Sequence, residues 1–69
     1  MAVVKVIELI GISEESWEDA AGNAVVEAAK TLTDIVGLEV VGQTARVKDG
    51  KIIAYKADVK VAFQVREDR

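Results

Sequence analysis

The densest group of chemistry-bearing residues is Glu14, Glu15, Glu18 and Asp19, four carboxylates within one short stretch. Oxygen ligands at that density suit a hard cation, and calcium takes about six to eight of them. The stretch has no EF-hand spacing, so a calcium site here needs carboxylates from neighbouring copies. The plainer reading is a helix start whose acids complement the positive end of the helix dipole. A second group is Lys56, Asp58, Lys60 and Gln64. Their period of two puts all four on one face of a strand. Such a face reads as a solvated surface, a polar subunit interface or the lining of a central cavity. Glu39, a lone carboxylate between apolar neighbours, reads as half of an ion pair.

The composition excludes much else. With no histidine and no cysteine, the usual nucleophile–base pairs are absent, as are the common structural zinc sites. Five glycines are scattered singly, so no loop cradles a phosphate. The chain is therefore expected not to be an enzyme. A net charge of −3 disfavours nucleic acid, which is bound by a basic face. No apolar run approaches the roughly 20 residues that span a bilayer, so no membrane partner is expected. The N-terminus shows no basic segment followed by a long apolar one, and a cytoplasmic location is the default expectation.

The elements that must position these groups follow from periodicity. Ala2 to Ile12 is rich in valine and isoleucine and reads as a strand. Ser13 follows as an N-cap, with Glu14 and Glu15 in the first helical turn. From Ser16 the period changes. Trp17, Ala20, Ala21, Ala24, Val25, Ala28, Ala29, Leu32 and Ile35 form one apolar stripe on a helix, and Gly37 is placed to end that helix at C′. Leu38 to Val47 is a second strand, Lys48-Asp49-Gly50 a hairpin turn, and Lys51 to Val65 a third strand with one dry face. The expected fold is α+β with the order βαββ: the first two strands parallel and the third between them, antiparallel to both. One helix covers one face of this sheet. The other face, with the Lys56–Gln64 series, is left open.

Residues 1–69 make one domain at most, and a core of that size is usually supplemented by disulfides, metals or oligomerisation. Without cysteine or histidine, oligomerisation is the remaining means. A hydrophobic content of 51%, high for a chain this short, fits partner copies that complete the core.

The run Lys5-Val6-Ile7-Glu8-Leu9-Ile10-Gly11, followed by Ser13-Glu14-Glu15-Ser16-Trp17, carries a resemblance over nearly the whole chain. So do the helix alanines Ala20-Ala21 and Ala28, the segment Leu38-Glu39-Val40, and the ending Tyr55 to Val65 with Val59-Lys60-Val61-Ala62-Phe63. In order and spacing the chain resembles the dodecins. The resemblance implies βαββ protomers assembled into a hollow spherical homododecamer without catalytic activity, which stores or buffers flavins such as riboflavin, FMN or lumichrome. The family's flavin-stacking tryptophan, two residues ahead of the Glu-Val of the second strand, falls at Gly37. Its flavin-contacting glutamine falls at Lys56. The flavin-pocket positions then correspond to Val36, Gly37, Gln43 and Lys56. Trp17, at the start of the helix, lies at the wrong end to replace the missing indole. The chain looks closer to a subgroup that shares the Ser-Trp-Glu helix start, lacks the flavin tryptophan and includes a calcium-binding member.

Two readings result. The first is a dodecameric shell that binds or stores cations or another small ligand without the usual flavin mode, calcium being the candidate cation. The second is a flavin-storing dodecin with a modified pocket.

Overall fold

The computed structural model describes residues 3–65. Its elements are β1 (Val3–Ser13), α1 (Trp17–Ala29), β2 (Ile35–Lys48) and β3 (Lys51–Val65). The sheet order is β1-β3-β2, with β3 antiparallel to both neighbours, so the expected topology holds. Ala2, read as the start of the first strand, lies outside the described residues.

Two boundaries differ from the sequence reading. The N-cap is Ser16, not Ser13: its Oγ accepts a hydrogen bond from the Asp19 N–H at 2.9 Å. Ser13 instead closes β1. Its buried hydroxyl accepts from the Glu15 N–H at 2.8 Å and donates to Asp19 Oδ2 at 2.6 Å. Glu14 and Glu15 therefore precede the helix, and the acids of its first turn are Glu18 and Asp19.

The helix also ends early, at Ala29, with Lys30 as C-cap. Thr31, Thr33, Ile35 and Val36 are β-branched and weak helix formers. The chain turns at Asp34, which adopts a positive φ of 60°, a conformation that Asp tolerates better than most side chains. Gly37 is consequently a strand residue paired with Ala62, not a helix terminator. Ile35 belongs to β2, and Ala29 is exposed. The Asp49–Gly50 hairpin has positive φ at both residues, 53° and 76°, as a two-residue I′ turn requires.

The core is made of small residues. Ala20, Ala21, Ala24 and Ala28 of α1 pack on Ala57, Val59 and Val61 of β3, with Ile7, Leu9, Leu32 and Ile35 around them. Trp17 secures the start of the helix: its indole N–H donates to the Thr44 carbonyl at 2.7 Å, and its ring meets Tyr55 edge-on at 4.8 Å. The helix lies over β1 and β3 and barely touches β2. Leu38 and Val40 of β2 remain exposed. Among the described residues, no helix is long and apolar enough to cross a membrane.

Candidate functional site: the uncovered sheet face

Because Val59 and Val61 are buried beneath the helix, the even-numbered residues of the same stretch of β3 point to the other side of the sheet. The strand pairing arranges that face in rows. Lys60 stands between Glu8 of β1 and Glu39 of β2. Asp58 stands between Ile10 and Gly42, Lys56 between Ile12 and Thr44, and Ala62 between Val6 and Gly37. Gln64 pairs with Val4. Charged side chains thus run up the centre of the face, and exposed Val4, Val6, Ile10 and Ile12 form an apolar margin along β1.

At one end of the face is an open cleft of about 380 Å³, lined by Val6, Gly37, Leu38, Glu39, Lys60 and Ala62. The missing side chain of Gly37 helps to make this space. A Cβ built there meets only the Ala62 Cβ, at 3.9 Å. The cleft has apolar walls and one charge of each sign, a combination that can orient a small polar or aromatic molecule.

Beside the Lys60 row, Glu8 of β1 and Asp58 of β3 are diagonal neighbours in the strand register. Asp58 raises the Glu8 pKa above the ordinary carboxylate value, first through hydrogen bonding to the protonated Glu8 carboxyl and then through like charge; Lys60 pulls the other way. Asp58 Oδ1 is shut off from solvent and has no hydrogen-bond partner among the described residues.

Of the residues expected to form a flavin pocket, only Gly37 lines the cleft. Val36 is exposed beside it. Gln43 pairs with the buried Ala57 and so lies on the helix side of the sheet. Lys56 lies on the open face but six residues along β3 from Ala62. One chain alone does not bring the four together. Of the candidate metal ligands, Glu14, Glu15 and Glu18 are exposed, and Asp19 is engaged by Ser13. Among the described residues no group of three or more acidic side chains is placed to hold a metal ion. The sequence reading picked out Asp58, Lys60 and Glu39 but missed Glu8, Val6 and Ala62. Their signal was the alternation within β1, which becomes usable only when the register with β3 is known.

The architecture is a three-stranded antiparallel sheet with a single off-centre helix, an open charged face and a small cleft. The family model described as Dodecin matches residues 3–66, and the chain belongs to the dodecin family. Calcium dodecin of Mycobacterium tuberculosis is 39% identical over 66 residues, covering 96% of this chain and 93% of that protein. The crystal structure of that calcium-chelating antigen, described as having a novel calcium-binding site, superposes with a TM-score of 0.80 at 40% identity, covering 97% and 96% of the two chains. A mutant of Thermus thermophilus dodecin superposes more closely, with a TM-score of 0.93, at a lower identity of 31%, covering 97% and 100%. Dodecin from Streptomyces coelicolor gives 0.92 at 27%, covering 97% and 96%. In sequence the chain is nearer to the calcium protein than to these two dodecins, and in backbone it is nearer to the latter.

Proposed function

We propose that this chain is the subunit of a non-catalytic, dodecameric shell that binds or stores calcium or a similar small cation. The observation that carries the reading is the 39% identity with calcium dodecin over 96% of this chain, joined to a glycine at the position where flavin-binding relatives are expected to carry their stacking tryptophan.

The shape of the chain supports assembly. A folded monomer of 7.4 kDa has an accessible surface of about 4,200 Å², whereas this chain has 5032 Å². Its radius of gyration is 14.3 Å, against about 11 Å for a compact chain of this length. Thirteen large hydrophobic side chains are exposed among the described residues. Surfaces of that kind are covered by other protein.

Assembly also bears on the cation. Glu14, Glu15 and Glu18 are exposed and are not gathered into a metal-holding group within one chain among the described residues, so in this reading neighbouring subunits supply further ligands. A flavin seated in a modified pocket is the second reading, and the open cleft beside Gly37 is the observation in its favour.

Isothermal titration of the purified protein with calcium is expected to show saturable binding that falls at least tenfold when Glu14 and Glu18 are both changed to glutamine. An assembly that ignores calcium but titrates with riboflavin would replace the first reading with the second.

A further inference from the structure

We propose that Glu8 and Asp58 form a proton-operated switch on the uncovered sheet face, which tightens association between copies of this chain in acid. The inference rests on the assembly proposed above and adds its regulation.

Among the described residues, the central rows of the face carry three carboxylates, Glu8, Asp58 and Glu39, against two ammonium groups, Lys56 and Lys60. Arg46 of β2 stands farther off, in the row of Ala54. The helix packs on the opposite face and brings no charge to this one. Lys60 is flanked by both Glu8 and Glu39, so it cannot fully serve either. Asp58 Oδ1 already lacks a donor. The five central groups therefore sum to one negative charge, with Arg46 two rows from Asp58, and a single proton makes the five neutral. Held on the Glu8 carboxyl, that proton also supplies the hydrogen bond that two adjacent carboxylates cannot make with one another.

A partner copy is the occupant because the margin of this charged strip is apolar. Val4, Val6, Ile10 and Ile12 are each more than half exposed, and the chain exposes more surface than a compact monomer of its mass. Covering the face removes water from the pair, and desolvation disfavours the charged form. Association then takes up the proton.

The sign follows from linkage. Glu8 binds its proton more tightly in the folded chain than in the unfolded one. Over the interval above the ordinary carboxylate pKa, the folded and associated states hold the extra proton, and they lose stability as pH rises. Below that interval every state is protonated, so the pH dependence levels off with the gain in stability fully present.

The test is sedimentation velocity on dilution series of the intact protein, from mildly acidic to mildly alkaline buffer. The dissociation constant of the wild-type assembly is expected to rise by up to about tenfold per pH unit for each proton released. In Asp58→Asn the slope should flatten, because Glu8 loses the like charge that holds its proton. Glu8→Gln should flatten it as well, and it covers the case in which the asparagine variant fails to fold. An assembly whose pH dependence is the same in wild type and in a folded variant overturns this inference alone. A monomer at every pH overturns both the inference and the proposed shell.

Discussion

Gly11→Ala is expected to prevent α1 from seating on the sheet. A Cβ at position 11 would lie 1.9 Å from the Ala20 carbonyl oxygen, 2.9 Å from its carbon and 3.2 Å from the Ala24 Cβ. The first two are helix backbone and cannot rotate away. The whole helix would have to lift, and the contacts of Ala20, Ala21 and Ala24 with Val59 and Val61 would loosen together. Overpacking of a core costs about 1–3 kcal/mol and occasionally more. A core in a chain below about 70 residues rarely supplies more than about 3–5 kcal/mol. The substitution therefore removes a large share of the stability of the fold, and circular dichroism with denaturant titration should show a midpoint far below that of the wild type. Gly22→Ala is the control. Gly22 is on the exposed side of α1, with nothing within 4 Å of an added Cβ, and alanine there should gain about 0.5–1 kcal/mol. Equal midpoints for Gly11→Ala and the wild type would contradict the close helix–sheet packing.

Gly37→Trp is expected to confer flavin affinity. Gly37 has no positive φ, and its added Cβ finds only ordinary contact with Ala62, so β2 can accept a side chain there without rearrangement. The indole would project at the cleft between Val6, Lys60 and Glu39 and give a planar ring something to stack on. Stacking on an aromatic side chain contributes about 1–3 kcal/mol for a nucleobase, and a flavin ring is larger. Quenching of flavin fluorescence should show riboflavin binding at least about tenfold tighter than in the wild type. No gain in a variant that remains folded and assembled would mean that position 37 is not the stacking position of the family.

The sequence made the order of elements legible because its periodicities are unmixed: an alanine stripe with a period near 3.6 between two valine-rich runs with a period of two. The Asp49–Gly50 turn fixed the β2–β3 hairpin, and strand length put β3 in the centre. The end of α1 was misread because Leu32 and Ile35 continue the apolar stripe in register. In the fold both still pack against the core, but from a turn and a strand. Asp34, not a glycine, makes the reversal, and an aspartate at positive φ leaves a faint signature in sequence. The N-cap was misplaced for a similar reason. Ser13 and Ser16 both make capping-type hydrogen bonds, and only the geometry separates the turn from the cap.

The candidate site was less legible. The Lys56–Gln64 alternation announced a polar open face. Which β1 residue meets which β3 residue depends on register, however, and so the approach of Glu8 to Asp58 could not be read. Gln43 shows the same limit. The irregularity between Val40 and Gly42 shifts the faces of β2, which takes Gln43 to the helix side and away from Lys56. Residues that belong together only across subunits leave no pattern within a single chain.

Native mass spectrometry of the purified protein tests the central claim most directly, because it reports the number of chains and any retained ligand in one spectrum. The account predicts a twelve-chain assembly of the 7.4 kDa subunit, carrying no flavin mass and gaining calcium adducts that saturate on titration. A stable monomer would contradict it.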